Sequence, residues 1–386
     1  MKYALTSATI FDGEQLRFGQ AVIIDGDRIE SIISEQDLTA EIPQYALKHH
    51  LIAPAFIDLQ VNGCGGVMFN DKVTEKTLDT MHQANLKSGT TTFLPTLITC
   101  GEDKLDAALE LAQNYRLQHG FRVPGIHLEG PFISREKKGI HNEHYIRPLQ
   151  NQDVEKLIAH KDQIGMLTLA PENATPEQIS QLSDAGIPVS LGHSNADCQT
   201  VQQAFHAGAK YATHLYNAMS GYKGREPGMI GAVFDTPAVH AGIIADGLHL
   251  DFVNLRIAKR LLDQRLYLIT DATAAAGSDI TEFDFVGQKI RVENGKCLGR
   301  DGTIGGSMLT MVEAVKNCIA HAGISQEEAL RMASLYPAQA MGWAHKLGRI
   351  QPNYLANLVI LSSDYQVAAV VDQGKWNSFT HAESNR

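Results

Sequence analysis

Apolar and polar positions follow three textures along the chain. Near the start, "ALTSATIFDG", "AVIIDGDRIESI" and "YALKHHLIAPA" are short alternating stretches broken by Asp-Gly turns, the two-residue period of strands joined as hairpins. The end, "KLGRIQPNYLANLVILSSDYQVAAVVDQGKW", returns to that texture. Residues 1–53 and 346–386 are therefore expected to build one small β-sandwich domain from both chain ends. Between them, over 54–345, strand-like and helix-like stretches alternate. The strands are "FIDLQV", "TTFLPTL", "VPGIHLEG", "GMLTLAPE", "IPVSLGH", "KYATHLYN", "VHAGIIADG" and "LYLITDA". "EDKLDAALELAQNYRLQ" carries a helical apolar stripe at Leu105, Leu109 and Ala112, and "SMLTMVEAVKNCIAHAG" places Met308, Met311, Val312, Val315 and Ile319 on one face before a glycine cap. Eight strand–helix alternations predict an α/β fold, a (β/α)8 TIM-like barrel. An open doubly wound sheet is the competing fold, but no G-x-G-x-x-G or P-loop pattern follows an early strand.

Composition narrows the class. With 386 residues, 44% of them hydrophobic, the chain has ample material for a large core and a smaller companion. A formal charge of −10 argues against nucleic acid or an anionic membrane as the main partner, although it leaves room for a small anion in a locally basic pocket. Neither a signal peptide nor a bilayer-spanning stretch is evident. Five scattered cysteines, without a C-x-x-C pair, suit a reducing cytoplasm.

The barrel reading gives the reactive side chains a place, because such folds carry their chemistry at the C-terminal ends of the strands. The third strand ends on Glu129, the fifth on His193, the sixth on His214 and the last on Asp271. One carboxylate and two imidazoles suffice for a zinc-type ion with an open position for water, and an aspartate on another strand could act as its base. Taken singly, each has a plainer reading: a packed or capping histidine, a turn carboxylate, a helix N-cap. What distinguishes them is that all four fall at strand ends.

"FIDLQVNGCGGVMFND", "GIHLEGPFIS", "KKGIHN", "LGHSNA", "THLYNAMSG", "REPGMIG", "IADGLHLD" and "ITDATAAAG" together resemble the N-acetylglucosamine-6-phosphate deacetylases of the amidohydrolase superfamily, over nearly the whole chain. The resemblance implies hydrolysis of the acetamide of N-acetylglucosamine 6-phosphate, with Glu129, His193 and His214 on the metal. It makes Asp271 the base and then the acid, and puts His141 near the scissile carbonyl. It assigns the sugar phosphate to Asn217, Ala218, Arg225 and His249, and the sugar pocket to the backbone of Ser307, Met308 and Leu309. It also implies a homodimer in which Arg225 serves the neighbouring active site.

One departure bears on the metal. Where two-metal relatives carry His-x-His at the first strand end, this chain has Gln60 and Asn62. Carboxamides are poor zinc ligands beside imidazoles, so one ion is expected, with Gln60 and Asn62 orienting water or substrate. Zn2+ is the choice by ligand type; Fe2+, Mn2+ or Co2+ could occupy the same donors. Competing readings are an N-acetylgalactosamine-6-phosphate deacetylase, another mononuclear amidohydrolase, a cyclic-amide hydrolase, and a metal-free scaffold. The cyclic-amide hydrolases would be expected to carry His-x-His, and the intact Glu129, His193, His214 and Asp271 argue against a scaffold.

Overall fold

The computed structural model describes residues 1–379. The chain divides into two compact units. One comprises Met1–Ile57, Ala84–Thr91 and the residues from Met311 on; the other comprises Asp58–Gln83 and Thr92–Thr310.

The first unit holds two sheets, one built from the start of the chain and one woven from both chain ends. A four-stranded sheet has the order Arg28–Ser34, Gln20–Asp25, Lys2–Thr6, Gln44–Ala46. A six-stranded sheet interleaves Lys375–Ser378, Val367–Asp372 and Leu358–Leu361 with Leu51–Pro54, Thr9–Phe11 and Leu16–Arg17. Leu51–Pro54 runs antiparallel to Leu358–Leu361, the ladder that joins start and end. The expected Asp-Gly hairpin is present: Asp25 faces Arg28, and Gly26 takes φ +60°, a left-handed turn that glycine adopts without steric cost. Leu5, Ile10, Val22, Ile52, Leu358 and Ile360 form a common core. Helices Met311–Ala322, Gln326–Ala333 and Leu335–Ala340 group with this unit. The first of them starts at Met311 rather than near Met308, because Ser307 is taken up in a parallel bridge with Ala272.

All eight expected barrel strands are present, in the expected order: β1 (Phe56–Val61), β2 (Thr90–Ile98), β3 (Ile126–Glu129), β4 (Ile164–Leu169), β5 (Val189–Leu191), β6 (Tyr211–Ala212), β7 (His240–Ile244) and β8 (Leu266–Ile269). Each is hydrogen-bonded to its neighbour in sequence, and the barrel closes where Val61 bridges Ala272 in parallel. Every residue of β1, β2, β3, β4 and β8 is buried, as expected for strands covered on both faces. One helix follows each of the first seven strands, from Glu75–Lys87 to Phe252–Leu262.

The barrel interior is unusually polar just below its C-terminal end. His127 Nδ1 lies 3.1 Å from the Leu59 carbonyl oxygen and its Nε2 2.7 Å from Thr168 Oγ1. Thr213 Oγ1 then lies 2.6 Å from both Thr168 Oγ1 and Ser190 Oγ. Burial pushes the His127 imidazolium down to about 4, so the ring is neutral, donating through Nδ1 and accepting through Nε2. Buried polar groups are tolerated only when paired, and this chain of bonds supplies the partners.

Residues after β8 build an element that strand–helix alternation did not predict. Glu282–Phe285, Gln288–Glu293 and Lys296–Leu298 form an antiparallel sheet whose turns, Val286-Gly287 and Asn294-Gly295, have positive φ throughout. Phe285, Ile290 and Cys297 pack with Ile98 and Ile140.

Candidate active site

Strand ends place the reactive side chains, and the backbone there is distorted. His193 (φ +48°), His214 (φ +34°) and Asp271 (φ +51°) all occupy left-handed conformations that are rare for residues with a Cβ and cluster at functional sites. Glu129, His193 and His214 converge as expected. Glu129 Oε1 lies 3.1 Å from His193 Nε2 and 3.0 Å from His214 Nε2, and the two nitrogens are 3.0 Å apart. All three side chains are buried.

Burial alone would raise the Glu129 carboxyl; hydrogen bonds and charge from the two histidines outweigh it and hold the group well below the usual carboxylate range. His214 shows the counterpart, with burial lowering its pKa but the bond to Glu129 raising it further. His193 Nδ1 lies 2.7 Å from the Lys137 carbonyl, which can only accept, so Nδ1 carries a proton, and it is Nε2, the nitrogen toward Glu129, whose lone pair would face a bound ion. Three buried donors within about 3 Å of one another match ligands that each stand about 2.0–2.2 Å from a single ion. The cluster, in this fold, points to a divalent metal.

Asp271 sits beside the cluster. Asn62 Nδ2 donates to its Oδ1 at 2.6 Å, and Gln60 Nε2 lies 3.2 Å from the same oxygen and 3.1 Å from Glu129 Oε1. Thus the two carboxamides at the first strand end are turned toward carboxylates, and Gln60 links the base candidate to the metal-ligand candidate. Burial, reinforced by the nearby Glu129, pushes the Asp271 carboxyl up to about 6.

Glu129, His193, His214, Asp271 and Asn62, but not Gln60, line a cavity of about 330 Å³, together with His141, Asn217, Ala218 and His249. His141 Nδ1 is 2.7 Å from Thr99 Oγ1. Burial and the neighbouring His193 keep its pKa well below the ordinary value, so the ring is neutral. His249 Nδ1 lies 2.6 Å from Asp246 Oδ2, while Asp246 Oδ1 accepts the backbone N–H of Leu248 and of His249. Bonds from His249 outweigh the effect of burial and hold the Asp246 carboxyl down.

Other expected contacts lie elsewhere. Arg225 is on an exposed loop and does not line this cavity. Ser307 donates through Oγ to the Thr270 carbonyl at 2.6 Å and through its backbone N–H to the Asp271 carbonyl at 2.8 Å. Met308 packs in the apolar cluster around Phe285, and the neighbouring glycine, Gly306, meets the cavity in place of Ser307–Leu309. Sequence reasoning missed Thr99, Asp246 and His127, none of which stands out without knowing what it touches.

The Amidohydrolase family model matches residues 51–377, and the NagA composite domain model matches residues 2–52. An N-acetylglucosamine-6-phosphate deacetylase from Haemophilus influenzae is 42% identical over 379 residues, covering 97% of this chain and 99% of that one. An N-acetylgalactosamine-6-phosphate deacetylase from a Shewanella species is 38% identical, over 89% and 86%. The crystal structure of N-acetylglucosamine-6-phosphate deacetylase from Pasteurella multocida superposes with a TM-score of 0.96 at 43% identity, covering 98% of this chain and all of that one, 100%. On the family match across most of its length and on these full-length relatives, the chain belongs to the amidohydrolase family, in the branch that holds these deacetylases.

Proposed function

We propose that this protein hydrolyses the acetamide of N-acetyl-D-glucosamine 6-phosphate to D-glucosamine 6-phosphate and acetate, a step of amino-sugar catabolism. The observation that carries the reading is the buried Glu129–His193–His214 triangle with Asp271 tied to it through Gln60. It rests also on relatives that carry this activity in their names.

Glu129, His193 and His214 would hold one divalent ion per subunit. A hard–soft borderline donor set of one carboxylate and two imidazoles favours zinc, with iron, manganese and cobalt as alternatives. Gln60 and Asn62 already donate to carboxylates, which leaves no His-x-His pair for a second ion. When bound, the ion supplies Lewis acidity that polarises the acetamide carbonyl and brings a water molecule's pKa toward neutrality.

The remaining steps belong to the chain's own groups. Asp271 accepts the proton of the attacking water, held in place by Asn62 and Gln60. His141 donates from Nε2 to the developing oxyanion; this requires the Thr99 hydroxyl to donate to Nδ1, which puts the ring proton on the cavity side. Asp271 then returns the proton to the departing nitrogen, so that an amine leaves rather than an amide anion. Asn217, Ala218 and His249 bind the sugar phosphate and hold the acetamide in register. Asp246 fixes the His249 ring with Nδ1–H toward its carboxylate, leaving Nε2 for the ligand.

The phosphate takes its guanidinium from Arg225 of a second copy. Arg225 shares an exposed loop with Tyr222, 67% exposed, and the helix Phe252–Leu262 presents Val253, Ile257 and Leu261 outward at 49%, 41% and 50% exposure. Their four-residue spacing makes one apolar face, suited to burial against another subunit. Among the described residues no helix is long and apolar enough to cross a membrane. All five cysteines are unpaired, in keeping with a cytoplasmic enzyme.

Acetate release from the 6-phosphates of N-acetylglucosamine and N-acetylgalactosamine, measured side by side, tests the proposal. Higher kcat/KM on the gluco substrate is expected. The reverse preference would assign the chain to the galacto activity of its Shewanella relative, and inactivity on both would overturn the reading.

A further inference from the structure

The proposed mechanism leaves one buried carboxylate unused. Asp58 is 1% exposed and lies two residues before Gln60 on β1, at the seam where β1 meets the end of β8. Its Oδ2 accepts the Thr270 hydroxyl at 2.5 Å, and its Oδ1 accepts the backbone N–H of Thr270 and of Gln60, each at 3.2 Å. It therefore grips both strands that present the base. Thr270 is the residue immediately before Asp271. Its hydroxyl accepts the Ala272 N–H at 3.2 Å, and its carbonyl accepts Ser307 Oγ at 2.6 Å. Between these anchors Asp271 donates its N–H to the Gln60 carbonyl at 3.0 Å and receives the Ser307 N–H on its own carbonyl at 2.8 Å. Backbone bonds on both sides thus hold Asp271 at φ +51°.

We propose that Asp58 is a positioning residue for catalysis, acting through Thr270 to set the backbone and hence the carboxylate of Asp271. An acceptor is required at this point because three donors converge on it in a site closed to water. Removing it would leave buried donors unpaired and free Thr270 to rotate. Asp271 would then lose registry with Gln60, Asn62 and the metal-ligand triangle, while those ligands, at the end of β3 and just after β5 and β6, would stay where they are.

The inference rests on Asp271 being the base, and the test separates the two. Steady-state kinetics and metal content are measured for the metal-loaded full-length protein and its Asp58→Asn, Thr270→Val, Thr270→Ser and Asp271→Asn variants. Asp58→Asn and Thr270→Val should each lose about ten- to a hundredfold in kcat, the scale of a misplacement of about 1 Å, with KM within a few-fold and metal unchanged. Thr270→Ser keeps the hydroxyl and should restore most of the turnover. The Asp58→Asn/Thr270→Val double variant should be no slower than the worse single, because both break one link. Additive losses, metal loss in step with activity, or Thr270→Ser as slow as Thr270→Val would overturn the inference. If Asp58→Asn does not fold, the two Thr270 variants decide it. Should Asp271→Asn itself retain turnover, the base assignment falls instead.

Discussion

Asp271 combines a carboxylate raised by burial with two carboxamide donors aimed at one of its oxygens. Asp271→Asn preserves size and keeps an oxygen for Asn62, but it neither takes the water proton nor returns one to nitrogen. A lost acid/base group typically costs about 10² to 10⁴ in rate. Turnover should fall by at least that range while metal content stays at the wild-type value; loss of metal in this variant would make Asp271 a ligand first. The pH profile follows from the same group. The base must be ionised, so kcat/KM should fall as pH drops through its pKa. With the cluster metal-free that value is about 6, and a cation beside Glu129 offsets the repulsion that raises it. The acid limb of the metal-loaded protein should therefore lie at or below pH about 6. A limb well above that point would mean that another group supplies the base.

Single elements position the accessory groups, and β2 is the plainest case. It ends at Ile98, and the next residue, Thr99, places its hydroxyl on His141 Nδ1. Thr99→Val should lower kcat by about tenfold or more, on the scale of a lost buried hydrogen bond of about 1–3 kcal/mol, whereas Thr99→Ser should stay near wild type. Equal rates in all three would detach Thr99 from the mechanism. The strands themselves were legible in sequence, since buried parallel strands write continuous apolar runs such as "LYLI". So were Glu129, His193, His214 and Asp271, because each stands at the end of such a run. The sheet at Glu282–Leu298 was not predicted, although Asn294-Gly295 is a strong hairpin signal; the expectation of continued strand–helix alternation obscured it. Thr99 and Asp58 act through His141 and Thr270, partners distant in sequence that no local pattern discloses, whereas Asp246 grips His249 only three residues on, in a turn whose side-chain contact the sequence does not spell out.

At the scale of the whole molecule the claims concern subunit and metal counts. Arg225→Ala should raise KM for the 6-phosphate substrate by about one to two decades, the effect of removing a charge-assisted contact of about 1.5–3 kcal/mol. Mixing Arg225→Ala with Asp271→Asn subunits tests whether the arginine acts across an interface. A hybrid dimer would contain one site with both Asp271 and the partner's guanidinium, so activity at low substrate should exceed the sum of the parents; strict additivity would place Arg225 within its own subunit's site or outside the mechanism. The central claim is that a single ion at Glu129, His193 and His214 supports the whole reaction. It is tested most directly by stripping the protein with a chelator and titrating zinc back while acetate release from N-acetylglucosamine 6-phosphate is followed. Activity should start near zero and rise linearly to a plateau at about one equivalent per chain, as three protein ligands and one open position dictate. A plateau at two equivalents, or full activity in the stripped protein, would contradict it.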